Sequence, residues 1–272
     1  MIRILRGAAP EVLTTKGVAA RQALCAQVDR DGDEYPLKFD GRIYRHTSVH
    51  QELYRMQHGK CCYCERSLDR GTIDHYRPKG AVYQNPGDRV STRGYYWLAY
   101  TWENLLLACS ECNTRFKREL FPLADPAVRV WHHSGAEKLP EELPLLLDPT
   151  LDDPEEHISF RAFTPVARTR RGRETINTLH LDSAFLETQR ERILSSIETL
   201  CVILDVSRRG MAVAEEILHG VCETMIRYSE VTQAHRGMIW STLRLRFGSE
   251  IELPFTYGRL LAWAQGRDAR PL

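Results

Sequence analysis

The feature that most constrains this chain is a pair of C-x-x-C steps placed far apart in the sequence. One step runs from Cys61 to Cys64 and the other from Cys109 to Cys112. This spacing lets two thiolates of one turn bind the same face of a tetrahedral Zn²⁺, and two such turns complete four ligands. The sequence therefore predicts a structural zinc site that contributes directly to folding.

Two alternatives to this zinc site stay open at the level of sequence. Buried or redox-active cysteines also occur in C-x-x-C steps, although two such steps in a chain without an export signal favour zinc. Within the first cluster, Cys62 could exchange with Cys61, but a step from Cys62 to Cys64 is tighter than the usual knuckle. Four thiolates leave no open coordination position, so this zinc would not be catalytic.

The spacer between the two cysteine steps carries polar groups in a distinctive order. Asp74 and His75 follow the first step, Asn104 precedes the second, and Asn113 follows it directly. Together with the cysteines, this order over about residues 60–122 resembles the HNH endonuclease family, which has a ββα-metal site. The resemblance implies hydrolysis of phosphodiester bonds in nucleic acid.

The resemblance also implies a role for each of these residues. His75 takes the general-base position, and Asn104 is the asparagine that ties down the loop of the site. Asp74 and Asn113 become the ligands of a catalytic Mg²⁺ or Mn²⁺, and an amide oxygen suits Mg²⁺ because this ion prefers oxygen ligands. Independently of the resemblance, histidine can deprotonate water near neutral pH, since its ordinary pKa is about 6.5.

The order of Asp74 and His75 sets a geometric condition. Neighbouring residues on a strand point to opposite faces of the sheet. If both side chains are to reach one phosphate, they must therefore lie at a strand end or at a bend in the backbone, and the nearby Pro78 is compatible with such a break.

Basic residues around this motif are candidates for contacts with the nucleic-acid backbone. They are Lys79, Arg115 and Lys117. Lys117 lies four residues after Asn113, so an α-helix would place both on one face. Exposed lysines and arginines often form only a solvated surface, and this alternative applies to all three.

A closer resemblance extends over about residues 55–195. It rests on the C-C-Y-C-E, I-D-H-Y-R-P-K and W-x-N-L-L-L-A-C-x-x-C-N segments and on the L-D-P and D-D-P-E-E-H segments further on. These segments resemble the HNH subunit of Septu-type and retron-linked anti-phage defence systems. The resemblance implies an effector nuclease that acts on DNA, or alternatively on tRNA or other RNA, together with an ABC/SMC-like ATPase subunit. The chain has no G-x-x-x-x-G-K-[ST] loop, so ATP dependence would come from that partner.

Two other functions compete with this interpretation. The first is a zinc-stabilised module that binds nucleic acid or assembles with a partner without catalysis. The second is a stand-alone nuclease of the restriction type that needs no ATPase.

Charge and hydrophobic patterning predict the organisation of the chain. Its 37 basic and 36 acidic residues nearly cancel, but eight acids and four prolines gather in residues 137–156, which is typical of a solvated linker. We expect an α+β fold that is mainly helical. The expected regions are an N-terminal segment (1–54), a zinc-framed ββα-metal nuclease domain (55–125), an acidic linker (126–157), and a hairpin with a helical C-terminal part for partner docking (158–272).

Two further expectations concern location and a histidine pair. No apolar run approaches the roughly 18 residues of a membrane span, and residues 1–10 lack the apolar core of a secretory signal, which predicts a cytoplasmic protein without membrane contact. His132 and His133 resemble a metal-binding pair. Because no carboxylate stands near them at ligand spacing in the sequence, they are expected to be surface residues.

Overall fold

A computed structural model describes residues 1–32, 36–89 and 93–267. The part of the expected C-terminal region beyond residue 267 lies outside these ranges. The α+β class is confirmed, because helices dominate and two small antiparallel sheets accompany them. The α-helices are α1 (Val18–Asp31), α2 (Gly41–Tyr44), α3 (Thr47–Met56), α4 (Pro154–His157), α5 (Arg170–Leu179), α6 (Ala184–Arg208), α7 (Glu215–Ser229), α8 (Arg236–Phe247) and α9 (Tyr257–Ala264).

Short helical segments of other types complete the architecture. A π-helix, Leu13–Gly17, leads into α1, and a second one, Glu111–Lys117, follows the second C-x-x-C step. Segments of 3₁₀-helix fill the connections; they are Tyr96–Leu98, Trp102–Asn104, Pro126–Val128 and His133–Glu141.

The two sheets are both hairpins. In the first, β1 (Thr72–His75) pairs with β2 (Leu105–Ala108), so that Asp74 lies opposite Leu106 and His75 lies opposite Leu105. In the second, β3 (Ile158–Arg161) pairs with β4 (Thr164–Ala167). Every side chain of β2 is buried, which matches its uninterrupted apolar sequence.

Two hydrophobic cores organise the molecule. The first gathers residues between 1 and 186 and encloses β1, β2 and both cysteine steps. The second gathers residues between 194 and 264, from α6 to α9. Helix α6 contributes to both cores, and Phe160 of β3 packs against both. The main division of the apolar packing therefore lies near the start of α6 and not in residues 126–157.

The expected acidic linker is built into the first core. Residues 145–147 are buried leucines, and the carboxylate of Glu142 is buried as well. Glu142 accepts a hydrogen bond of 3.0 Å from the Tyr95 hydroxyl and forms an ion pair with Arg77. A count of acids and prolines could not reveal these partners, which come from distant parts of the chain and make burial of the charge tolerable. The description of this region as a solvated linker is therefore wrong for Glu142 and for residues 145–147, whereas residues 131–141 are exposed or half-buried.

The second core is attached to the first cysteine step. The Lys60 ammonium donates a hydrogen bond of 2.7 Å to the backbone carbonyl of Val231. The buried Glu65 carboxylate accepts the backbone N–H of Gly237 at the start of α8. The residues on both sides of Cys61 and Cys64 are thus fixed by the helical C-terminal part of the chain.

Across the described ranges, no helix combines the length and the apolar character that crossing a bilayer requires.

Candidate functional site

Four buried cysteines from the two C-x-x-C steps form one cluster. The sulfur atoms of Cys61, Cys64, Cys109 and Cys112 all lie within 4.8 Å of one another. The Sγ atoms of Cys64 and Cys109 are 3.8 Å apart. Ligands on one edge of a tetrahedral zinc–thiolate centre are separated by about the same distance, roughly 3.8 Å, given a Zn–S bond of about 2.3 Å.

The chemistry of this donor set fits a metal such as zinc. Burial raises the pKa of the Cys61 thiol, but hydrogen bonds from the neighbouring thiols, first of all Cys109, outweigh it and hold the pKa well below its ordinary value. The backbone N–H of Cys112 also points at the Cys109 sulfur, at 3.4 Å. Thiolates are the form that binds zinc, and four thiolates that close the coordination shell would supply folding stability and no chemistry.

Cys62 lies outside this cluster although it is equally buried. Its backbone N–H donates to the carbonyl of Leu107 in β2 at 3.0 Å. The side chain of Gln57 completes the attachment, because it donates to the Leu107 carbonyl and accepts the Leu107 N–H. These contacts anchor the first cysteine step on the hairpin. An exchange of Cys62 for Cys61 does not match this arrangement.

Asp74 belongs to a buried polar triad next to the cysteine cluster. Its Oδ1 accepts a hydrogen bond of 3.1 Å from the ammonium of Lys117, and its Oδ2 accepts one of 2.6 Å from the hydroxyl of Tyr63. Lys117 also donates to the backbone carbonyl of His75 at 2.8 Å. Asp74 is 2% exposed and Lys117 is 0% exposed, so both charges are compensated inside the protein.

This triad corrects two expectations. A side chain with no exposed surface is not placed for contact with a nucleic-acid backbone, so Lys117 is a structural cation here. Both oxygens of Asp74 already have partners, one of them an ammonium, and a divalent cation does not fit this carboxylate as it stands. The sequence predicted that Lys117 lies on a helix, but it could not show that the Lys117 side chain points towards Asp74.

Replacing Lys117 by methionine is expected to lower the free energy of unfolding by about 3–5 kcal/mol, because it leaves the carboxylate of Asp74 buried and uncompensated. Urea unfolding followed by circular dichroism measures the effect. The matched control is Arg115→Met, an exposed position on the same π-helix, where a change within about 0.5 kcal/mol is expected. Equal stability of the two variants would contradict the pairing of Lys117 with Asp74.

His75 is the last residue of β1 and has a defined orientation. Its Nε2 lies 2.9 Å from the backbone carbonyl of Ala99. A carbonyl can only accept, so Nε2 carries the proton and the lone pair is on Nδ1. Nδ1 faces the ammonium of Lys79 at 3.5 Å, and the ring packs edge-on against Tyr44 with 4.9 Å between centroids.

The surroundings of His75 keep it neutral. Burial lowers its pKa well below the usual range, and the ammonium of Lys79 lowers the pKa further. The pKa of Lys79 itself falls to about 8, mainly through burial and also through the charge of Arg45. A neutral imidazole with an unprotonated Nδ1 is the form that a general base requires.

Asp74 and His75 do not share one set of partners. The side chain of Asp74 contacts Tyr63 and Lys117, whereas that of His75 contacts Tyr44, Lys79 and Ala99. This separation follows from the alternation of side chains along β1. Although His75 ends the strand, the expected convergence of both side chains on one phosphate is not present in this arrangement.

Asn104 ties together the two ends of the long connection between β1 and β2. Its Oδ1 accepts the backbone N–H of Arg77 at 2.8 Å, and its Nδ2 donates to the carbonyls of Arg77 and Leu98 at 3.0 and 3.2 Å. The turn that Asn104 holds in this way includes Ala99, whose carbonyl orients His75. Asn104 therefore positions the base without touching it.

Asn113 and the remaining basic candidates have different environments. The Asn113 carbonyl closes the last turn of the π-helix, because it accepts the N–H of Arg118 at 2.8 Å. Its amide nitrogen donates to the Thr72 hydroxyl and so fastens the π-helix to β1. Arg115 is exposed and stays available to a ligand, whereas Lys79 is half-buried beside His75. The sequence placed Asn113 with Asp74, but the structure does not bring them together as two ligands of one ion.

Sequence reasoning missed the residues that surround these groups. Tyr63 was read only as part of the C-C-Y-C segment, although it donates to Asp74. Phe39 and Tyr44 lie under the Lys79 ammonium, which is 5.5 and 4.9 Å from their ring centroids. No local pattern marks an aromatic ring as a cation partner, because both rings come from the segment before the first cysteine step.

Comparison with known proteins gives a consistent set of relatives. No family model matches the chain. The Septu protein PtuB of Bacillus mycoides (strain KBAB4) is 31% identical over 207 residues, which cover 73% of this chain and 68% of the relative. The Septu protein PtuB of Bacillus thuringiensis is 24% identical over 191 residues, which cover 64% of this chain and 60% of the relative.

A different Septu protein is similar as well. The Septu protein PtuA of Bacillus mycoides (strain KBAB4) is 29% identical over 159 residues. These residues cover 57% of this chain but only 22% of that protein, so the similarity concerns a limited part of the longer relative.

Proposed function

The chain belongs to the Septu PtuB family, and we propose that it serves in anti-phage defence. From the order of Asp74, His75, Asn104 and Asn113 between and after the cysteine steps, we propose that it is an endonuclease of the HNH type. The proposed reaction is the hydrolysis of phosphodiester bonds in nucleic acid, with DNA as the expected substrate and tRNA or other RNA as the alternative. The four-cysteine cluster, loaded with zinc, is proposed to hold the fold of the site, and His75 is proposed to act as the base.

The observation that carries this proposal is the state of His75. Its Nε2 proton is directed to the Ala99 carbonyl, and burial favours the neutral ring, so that Nδ1 can accept a proton from water. Lys79 covers Nδ1 at 3.5 Å. An incoming phosphate would attract this ammonium, which would expose the base and place a positive charge beside the phosphate.

The catalytic cation of the proposal is Mg²⁺ or Mn²⁺. Asp74 does not fit such an ion while its two carboxylate oxygens accept hydrogen bonds from Lys117 and Tyr63. No step of the reaction is therefore assigned to the cation. A strict requirement for a divalent cation in cleavage would mean that Lys117 leaves Asp74 when the nuclease is active.

We further propose that the chain works with a partner subunit, an ABC/SMC-like ATPase. The chain itself lacks a phosphate-binding loop, so ATP would act through that partner. The helices of the second core support a docking role, because α6, α7 and α8 present the exposed side chains of Val202, Ile217 and Leu245. The name PtuA among the similar proteins fits the idea of a second Septu component.

A cleavage panel tests the proposed activity. The purified chain is incubated with plasmid, single-stranded DNA and tRNA, in EDTA, Mg²⁺ or Mn²⁺, with and without a co-expressed ATPase subunit and ATP. We expect cleavage of at least one substrate, and stronger cleavage with the partner. Equal cleavage with and without the partner would support the stand-alone nuclease instead.

The same panel separates catalysis from binding. If no substrate is cut under any condition while nucleic acid or the partner still binds, the chain is a zinc-stabilised binding or assembly module. Electrophoretic mobility shifts on the same substrates provide this second measurement.

The pH dependence of cleavage reports on the base. Because burial lowers the pKa of His75, the ring stays unprotonated below the ordinary histidine range, and the rate is expected to stay level from about pH 7 down to about pH 6.5 and to fall only below it. Removing the ammonium in Lys79→Met raises the pKa of His75, so the acid limb should move to higher pH. An acid limb above pH 7 in the parent protein would contradict this assignment.

A further inference from the structure

A second group of metal-ligating side chains lies away from the cysteines. Asp29 stands in the last turn of α1, and His132 and His133 lie far along the chain at the start of the 3₁₀ segment His133–Glu141. One ligand atom of each residue lies within 4.8 Å of the others. The carboxylate that the histidine pair lacks in the sequence is supplied by the fold.

The distances within this group match a shared cation better than direct hydrogen bonds. The Nε2 atom of His132 is 3.6 Å from Oδ1 of Asp29, and that of His133 is 3.4 Å from Oδ2. A charge-assisted N–H···O bond would measure about 2.7–2.9 Å. Two ligands on a tetrahedral zinc, each about 2.0–2.1 Å from the ion, are about 3.4 Å apart.

Each imidazole has an outer partner that orients it. The buried hydroxyl of Tyr96 is 2.6 Å from Nδ1 of His133, and the hydroxyl of Ser134 is 2.9 Å from Nδ1 of His132. Metal-binding histidines usually make such a contact through their second nitrogen. When a metal binds Nε2 of His132, the imidazole proton moves from Nε2 to Nδ1. The Nδ1–H group then donates to the Ser134 hydroxyl oxygen. This hydrogen bond replaces the longer contact, at 3.2 Å, in which the Ser134 N–H donates to Nδ1.

The position of Asp29 also favours a cation. The C-terminal end of a helix carries a partial negative charge, so a carboxylate in the last turn is unfavourable unless positive charge stands beside it. The neighbouring Asp31 is paired with Arg30. For Asp29, the positive charge would be supplied by a metal ion held together with the two histidines.

We propose that Asp29, His132 and His133 form a second metal site, which binds Zn²⁺ or another divalent ion that prefers nitrogen and oxygen ligands, such as Co²⁺ or Ni²⁺. The fourth position faces solvent, because the Asp29 side chain is 58% exposed. The ion would fasten the end of α1 to the segment after His132. Through Tyr96 it would also brace the turn that presents the Ala99 carbonyl to His75.

Cobalt titration of the zinc-loaded protein tests this site. Tag-free protein is first brought to one zinc per chain, held by the cysteine cluster, by removing weakly bound metal, and is then titrated with Co²⁺ while the visible spectrum and the bound metal are measured. We expect one equivalent of Co²⁺ to bind with d–d bands but without a thiolate charge-transfer band, since no sulfur is among the ligands. Asp29→Asn and the double variant His132→Gln/His133→Gln should lose this equivalent and keep the zinc.

Two further variants sharpen the test. Tyr96→Phe removes only the outer hydroxyl and is expected to weaken Co²⁺ binding by about 10- to 100-fold. The matched control is His219→Gln, because His219 stands 3.6 Å from Glu215 in an exposed histidine–carboxylate pair without a second histidine. This control should bind Co²⁺ like the parent.

The proposal is overturned if the parent protein binds no Co²⁺ beyond its zinc, if Asp29→Asn binds it unchanged, or if binding needs millimolar metal. In each of these cases the three side chains form an ordinary surface ion pair. Circular dichroism establishes that each variant is folded before its metal content is compared.

Discussion

Replacing Cys61 by alanine is expected to release the metal of the four-cysteine cluster and to unfold the first core around it. Structural zinc contributes about 10–16 kcal/mol in small modules, which reaches or exceeds the roughly 5–15 kcal/mol that separates folded from unfolded domains. The variant would also leave three buried thiols without their common ion. Metal analysis and thermal unfolding of the purified variant measure both losses.

The neighbouring residue provides the control for this experiment. Cys62 is equally buried but lies outside the cluster, so Cys62→Ala should retain one zinc per chain and lose only about 1–2 kcal/mol through the missing sulfur. If the two alanine variants behaved alike, Cys61 would not be a ligand. If the reduced and folded parent protein contained no zinc, the assignment of the cluster itself would fail.

Replacing His75 by glutamine is expected to reduce nucleic-acid cleavage by about 10²- to 10⁴-fold, the usual contribution of a general base. A glutamine amide can still donate to the Ala99 carbonyl but cannot take a proton from water. The loss should therefore appear in the rate constant of the chemical step, while substrate binding and thermal stability stay close to those of the parent.

Replacing a histidine on another part of the surface shows whether the loss of any imidazole slows cleavage. His219→Gln is expected to cut at the parental rate, because His219 is a surface residue of α7, a helix of the second core, whereas β1 belongs to the first core. A His75→Gln protein that is folded and cuts as fast as the parent would remove His75 from the proposed mechanism.

Local spacing was sufficient to predict the cysteine cluster. A C-x-x-C step fixes the distance between two thiols within one turn. This feature depends on neighbours within a few residues. What the sequence could not show is that the fold brings the two turns together.

Features that depend on distant partners could not be predicted. Lys117 was expected to contact the nucleic-acid backbone because it stands four residues after Asn113, but its partner Asp74 comes from β1. Glu142 was counted as part of a solvated acidic run, but Tyr95 and Arg77 bind it. In both cases a charge is buried with its counterpart, and sequence composition contains no information about that pairing.

The cysteine cluster has a consequence for the unfolded chain. Once metal joins Cys61 and Cys64 to Cys109 and Cys112, about 50 residues are closed into a ring. A covalent cross-link of that length would remove about 4 kcal/mol of chain entropy from the unfolded state. His75 and Asn104 both lie inside the ring. Chelation should therefore increase hydrogen exchange and proteolysis throughout this segment, including positions that never contact the metal.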